Sequence, residues 1–381
     1  MILPHPSRRR VLSGGIVAIL TGCAAPKRIA FTAQDQIDAS VPGFEGLRAY
    51  ADMPAADLPA WNRDFLPNAA RPVYLALSSG GAGGAFGAGL LSGWTLRGDR
   101  PAFDLVTGVS AGALIAPFAF VGSDADAALV TLFDTGIAAK LDDPKPLFSG
   151  ILGTSLFDAK PLRDLIGQYV TTDLLTRIAE RQRRGARLLV LTTNIDAERS
   201  VIWNMGAIAA SAHPGAAQLF GDVLAASASI PAVFPAMPIT VTGRGRSFQE
   251  LHSDGGVIRQ IFLTPDATFV SGAPTAAFDG ARPVIYAIVN HELDPAFEMV
   301  TDRSIAVAKR AYEALIKSSI RSSIAAFDDL ALRGGFSFNL AFIDRHVPMD
   351  PRNPFDPVYM KTVFALGRQK GASGAWTLRL P

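Results

Sequence analysis

Two carboxyl- and hydroxyl-bearing residues stand in contexts that could do chemistry. Ser110 lies in Gly108-Val109-Ser110-Ala111-Gly112. The apolar run Phe103-Asp104-Leu105-Val106-Thr107 precedes it and Ala113-Leu114-Ile115-Ala116-Pro117-Phe118-Ala119-Phe120 follows. The first reads as a buried strand and the second as an apolar helix, so Ser110 occupies a tight strand–helix turn. That is the setting of a Gly-x-Ser-x-Gly nucleophile elbow. Gly108 and Gly112 lack the Cβ that would crowd such a turn. At a helix N-terminus, free N–H groups and the helix dipole favour developing negative charge. The pentapeptide alone carries modest weight, because the chain holds 35 glycines in 381 residues and meets such patterns by chance. Asp254, in Leu251-His252-Ser253-Asp254-Gly255-Gly256-Val257, is the candidate carboxylate, although Asp-Gly-Gly by itself is a common turn.

A third stretch, Ser79-Gly80-Gly81-Ala82-Gly83-Gly84, follows the apolar run Pro72–Leu77 and opens a helix. Such a loop brings backbone N–H groups against a pyrophosphate, or against the oxyanion of a tetrahedral acyl intermediate. It also serves simply to let a helix approach a strand. No Lys-Ser or Lys-Thr follows, so the Walker pattern is absent, and the dinucleotide fingerprint is weak. A serine nucleophile some thirty residues downstream favours the oxyanion role. The donors expected are the N–H groups of Gly80, Gly81 and Ala82.

In this order the three stretches resemble the patatin-like phospholipase family. The resemblance runs from about Val73 to Val257 and includes the block Ala226-Ser227-Ala228-Ser229-Ile230-Pro231-Ala232-Val233-Phe234-Pro235. It implies a Ser–Asp dyad with Ser110 as nucleophile and Asp254 as general base. It also implies an oxyanion hole in the glycine loop, a three-layer α/β/α sandwich, and a lipid or acyl-ester substrate. The chain departs from the pattern in the loop, which in the family usually reads Gly-Gly-Gly-x-Arg-Gly. Here Ser79 stands for the first Gly and Gly83 for the Arg. The backbone donors survive both changes.

A Ser-His-Asp triad is the commoner way to activate serine. Of the five histidines His5, His213, His252, His291 and His346, His291 is the best placed for it, because it ends a strand in Ser…Asp…His order. His252, two residues from Asp254, is a candidate neighbour of the base. A third possibility is an envelope lipoprotein that binds lipid without turnover. No histidine spacing suits zinc, and neither cofactor nor metal is expected.

The elements that would position these residues are legible as continuous apolar strands alternating with helices. Strands are expected at Pro72–Leu77, before Ser110, at Arg187–Asn194 with Val201–Asn204 as its hairpin partner, and at Pro283–Val289. Helices are expected up to Arg97, after Ser110, over Phe220–Ser229 and from Arg303 to about Leu332. This alternation predicts an α/β layered fold with a mostly parallel sheet.

Hydrophobic residues make up 49% of the chain, enough for a large core. Ser7-Arg8-Arg9-Arg10 and the apolar Val11–Leu20 read as a signal peptide over residues 1–22, too short to span a bilayer. Leu20-Thr21-Gly22-Cys23 resembles a lipobox, and Cys23 is the chain's single cysteine. The expectation is an exported lipoprotein, anchored to a membrane surface through Cys23. Residues 23–70 are then a lipidated tether and N-terminal cap with little regular structure. Residues 71–381 form the hydrolase domain with a C-terminal helical extension. Beyond the signal, 33 basic residues face 34 acidic ones, and no basic stripe supports nucleic-acid binding. Arg181-Gln182-Arg183-Arg184 reads as a solvated helix end. Nothing in the sequence fixes an oligomeric state.

Overall fold

A computed structural model describes residues 28–133, 157–270, 278–350 and 353–378. The expected signal and Cys23 lie outside these residues.

Nine strands are described: β1 (Arg48–Tyr50), β2 (Val73–Leu77), β3 (Leu105–Val109), β4 (Arg187–Asn194), β5 (Arg199–Asn204), β6 (Met237–Gly243), β7 (Arg246–Asp254), β8 (Val284–Glu292) and β9 (Ser337–Ile343). Among the described residues the helices of eight or more residues are α1 (Leu58–Phe65), α2 (Gly84–Arg97), α3 (Ala111–Val121), α4 (Ala159–Tyr169), α5 (Thr172–Arg183), α6 (Ala216–Ser227), α7 (Ser304–Gly334) and α8 (Pro357–Ser373). The sheet runs β1-β5-β4-β3-β2-β8-β9. From β4 through β9 along that order every pairing is parallel, while β1 and β5 are antiparallel additions. The β6–β7 hairpin joins the end of β4 through β7.

Alternation along the strands divides the core in two. Leu75, Leu77, Val106, Leu188 and Val190 pack with α2, α3, α6 and α8 on one face. Tyr74, Ala76, Leu105, Leu189 and Leu191 pack with α1 and the C-terminal half of α7 on the other. A strand whose successive side chains meet two different helical layers must be apolar throughout, which is why these segments read as unbroken hydrophobic runs. The architecture is the three-layer α/β/α sandwich with a mostly parallel sheet.

One region departs from the sequence reading and a second adds to it. Residues 28–70 are more than a tether with little regular structure. β1 pairs with β5 at the sheet edge, and Trp61 and Phe65 of α1 are buried beneath the sheet. Arg48 of β1 also forms an ion pair with the fully buried Glu250 of β7. The alternation rule missed this segment because its strand is three residues long and half-buried. The C-terminal region, for its part, is built into the domain: β8 and β9 extend the parallel sheet and α8 lies directly on α2. There Gly89 and Gly93 face Gly367 and Gly371, and a Cβ on any of the four would stand 2.0–2.1 Å from a backbone carbonyl oxygen of the opposite helix. Only glycine permits so close a crossing. α2 begins where the glycine loop ends, so this contact ties α8 to the loop.

Candidate active site

The site forms where β3 ends. Ser110 takes φ 55° and ψ −122°, left-handed backbone that a side chain adopts only under constraint. Its neighbours supply the constraint. An added Cβ at Gly108 would lie 2.5 Å from Gly112 O, and one at Gly112 would lie 2.5 Å from Leu77 O. The backbone N–H of Ser110 donates to Ser227 Oγ at 3.1 Å, and Ser227 Oγ donates to Leu191 O at 2.6 Å. The elbow is thereby fixed to β4 and α6, and Ser110 is only 3% exposed.

Asp254 reaches the serine through sheet register. β3 and β4 run parallel with Val109 opposite Leu191, and the next β4 residue, Thr192, pairs with Asp254. The last residue of β7 therefore stands beside the elbow. Ser110 Oγ donates a hydrogen bond directly to Asp254 Oδ2. Gly256 N–H donates to Oδ1 at 2.7 Å, and Asp254 N–H donates to Ser229 O at 3.0 Å. Burial pushes the Asp254 carboxyl up to about 7, against the opposing effect of the hydrogen bonds from Ser110 and Gly256.

The glycine loop lies across from this pair. Gly80 closes a turn by accepting from Gly83 N–H at 2.8 Å, and Gly81 takes φ +51°. Among the described residues the N–H groups of Gly80, Gly81 and Ala82 have no acceptor. Gly81 and Ser110 share one pocket, whose other walls include Ala111, Leu114, Ile230, Phe234 and Phe355. Asn290 fastens the loop from behind. Its N–H donates to Ser78 Oγ, its Nδ2 donates to Ser78 O, and its Oδ1 accepts from Gly87 N–H. An added Cβ at Gly83 would lie 2.3 Å from Asn290 O. No side chain fits at the position where the family pattern has arginine.

Ser79, the other departure, makes a bridge. Its hydroxyl donates to Gln260 Oε1, and Gln260 Nε2 donates to Gly256 O. Ser79 Oγ also contacts His291 Nε2 at 3.2 Å. A continuous chain of contacts thus runs His291–Ser79–Gln260–Gly256–Asp254–Ser110. Burial first, then the nearby Lys317 charge, lowers His291 to about 4, so it is neutral at physiological pH.

The other described histidines bond elsewhere. His252 contacts Thr192 Oγ1 and Glu250, His213 accepts from Gly215 N–H, and His346 contacts Glu292. The structure therefore brings Ser110 to Asp254, not to His291. Sequence reasoning passed over Ser227, Gln260 and Asn290. Ser227 lay inside the block that carries the resemblance, and its signal was available there. Gln260 and Asn290 offer no signal in spacing, because only the tertiary fold brings them to the loop. Among the described residues no cluster of His, Cys, Asp and Glu could hold a metal ion, and no helix is long and apolar enough to cross a membrane.

The fold and the site together define an α/β/α sandwich with an elbow serine at the carboxyl end of a central parallel strand and a glycine loop facing it. The chain belongs to the patatin-like phospholipase family: the family's model matches residues 75–265, half of the chain. That membership places it among lipid acyl hydrolases. Among solved structures it is similar to VipD from Legionella pneumophila, at 13% identity and a TM-score of 0.42, covering 81% of this chain and 68% of that one. No curated protein sequence matches it.

Proposed function

We propose that the protein hydrolyses acyl esters of lipids through a Ser110–Asp254 dyad and an acyl-enzyme. The observation that carries this reading is the direct hydrogen bond from Ser110 Oγ to Asp254 Oδ2 inside an apolar pocket. Ser110 Oγ attacks the ester carbonyl while its proton passes to Asp254. The carbonyl oxygen, now negative, is held by the N–H groups of Gly80, Gly81 and Ala82, aided by the N-terminus of α3. Collapse breaks the bond to the leaving alcohol, which takes the proton from Asp254 and departs. Water then attacks the acyl-Ser110 ester with Asp254 again accepting the proton. Ser110 Oγ recovers that proton as the fatty acid leaves.

The test is covalent labelling with a fluorophosphonate, followed by assay on a panel of phospholipids and simple acyl esters. The wild type should gain one adduct on Ser110 and hydrolyse at least one ester, and Ser110→Ala should do neither. Equal labelling of both proteins, or a labelled wild type inert towards every ester, would contradict the reading.

A further inference from the structure

α7 has 31 residues but is buried only along its second half, where Ile320, Ile324, Phe327, Leu330 and Ala331 pack beneath the sheet. From Ser304 to Ser319 no side chain is buried. At the rise of an α-helix that half is about 24 Å long. The chain leaving β8 shows where it lies. Arg321, Lys317 and Arg310 donate in turn to the carbonyl oxygens of Leu293, Asp294 and Ala296. The segment after β8 therefore runs outward beside α7, turns, and comes back as the helix. β2, β3 and β8 are parallel, with Leu77 opposite both Gly108 and Ile288. The segment and the first half of α7 thus form an arm at the carboxyl ends of these strands, the end that holds Ser110. Lys317 is near enough for its charge to act on His291, which touches Ser79 of the glycine loop.

The arm is apolar where it meets water. At its tip Phe297 and Met299 are 96% and 87% exposed. On the helix the exposed residues Ile305, Ala308, Tyr312 and Leu315 recur three or four residues apart and so share one face. A contiguous apolar face of this kind marks a surface that something covers. Charge indicates what. From Ser304 to Arg321 the helix carries Lys309, Arg310, Lys317 and Arg321 against the single acid Glu313, whereas the rest of α7 has Arg333 against Asp328 and Asp329. The connecting chain adds Arg303, Asp294, Glu298 and Asp302, and Glu298 pairs with Arg310, so the arm as a whole stays slightly basic. Among the described residues Lys317 and Arg321 form no ion pair. An apolar stripe on a basic helix suits the surface of an anionic lipid layer. Packing the helix against its own copy would set like charges together.

We propose that this arm seats the protein on a lipid layer that contains anionic head groups, with Phe297 and Met299 entering the acyl region. The choice of a lipid partner rests on the acyl-hydrolase reading of Ser110, since docking by the arm brings the catalytic end of the sheet to its substrate.

The experiment uses the chain lacking residues 1–22 and carrying Cys23→Ser, so that no lipid anchor contributes. Cosedimentation with vesicles of phosphatidylcholine, with and without phosphatidylglycerol, reads binding, in a Ser110→Ala background that leaves the lipid intact. The parent should bind, severalfold more tightly with phosphatidylglycerol present. Replacing both tip residues, Phe297→Ser with Met299→Ser, should weaken binding by tenfold or more. With Ser110 restored, the same tip variant should keep kcat on p-nitrophenyl butyrate within about twofold. Leu315→Ser, on the helix face, should weaken binding severalfold and serves if the tip variant does not fold. Binding unchanged by these variants, or by omitting phosphatidylglycerol, would overturn the proposal. So would a parent that sedimentation velocity shows to be a dimer and a tip variant that is a monomer with unaltered vesicle binding, because the arm would then cover a second copy. Vesicle binding that depends on the tip, in a protein that hydrolyses no ester with Ser110 present, would leave the arm standing and overturn the acyl-hydrolase reading instead.

Discussion

An aspartate in water is too acidic to take a proton from serine at neutral pH, and the pair depends on removing Asp254 from water. Burial raises its proton affinity until the carboxyl titrates near 7, where a general base works best. Activity on a soluble ester should accordingly rise with pH through about 7, as the carboxylate form fills, and then level off. A lower limb centred near 4 would instead mark an exposed base. The same shift has a stability consequence of definite sign. Between about 4 and about 7 the unfolded chain has released this proton and the folded one still holds it, so stability falls as pH rises across that window. Above 7 the folded state carries a buried charge that the hydrogen bonds from Ser110 and Gly256 offset only in part, a penalty of up to about 4 kcal/mol. Asp254→Asn has no such charge; its amide oxygen can accept from Gly256 N–H while its NH2 donates to Ser110 Oγ, whose hydroxyl can accept as well as donate. The variant should be nearly inactive yet melt at or above the wild-type temperature at pH 8. The two should converge at pH 4 in thermal scans; a variant markedly less stable at pH 8 would contradict the burial argument.

The glycine loop serves as a rigid cradle whose conformation matters more than its composition. An added Cβ at Gly81 meets nothing nearer than Ile230 Cδ1 at 3.8 Å, so the position has room, but φ +51° disfavours a branched side chain. Gly81→Val should therefore fold, with near-wild-type circular dichroism, and lose about a hundredfold or more in kcat as one donor swings away. Retained kcat would make the loop a packing device only. At this scale the sequence was informative where periodicity was strong. β2, β3, β4, β5 and β8 and the long α7 were all legible from unbroken apolar runs or helical spacing. The β6–β7 hairpin was not, although β7 ends at Asp254. Its alternating, polar-rich run gives no hint that its last three residues pair with β4. α8 escaped for a different reason. Its contact with α2 is made by glycines on both helices, and glycine reads as a breaker in a single sequence even where it lets helices touch. The bridge of His291, Ser79 and Gln260 was equally hidden, because its members are far apart in the chain. His291, the candidate for a triad, contacts Ser79 of the loop that faces the serine.

For the whole molecule, the described N-terminal segment adds β1 to the edge of the sheet that positions Ser110 and Asp254. We propose that the protein is a lipoprotein anchored through Cys23, with the membrane-proximal segment continuing into β1 and its Arg48–Glu250 ion pair. Wild type should fractionate with membranes, and Cys23→Ser should move towards soluble or unprocessed forms, since firm attachment takes more than one acyl chain. Unchanged processing and fractionation would remove the anchor from the account. The most direct test of the central claim concerns the pairing of Ser110 with Asp254. Ser110→Ala, Asp254→Asn and His291→Ala, each confirmed as folded, are assayed for kcat on one soluble ester. The dyad predicts that the first two fall together by about a thousandfold or more, because they act as one unit, while His291→Ala stays within about tenfold. A His291→Ala variant as inactive as Ser110→Ala, or an Asp254→Asn variant that keeps most of its kcat, would contradict it.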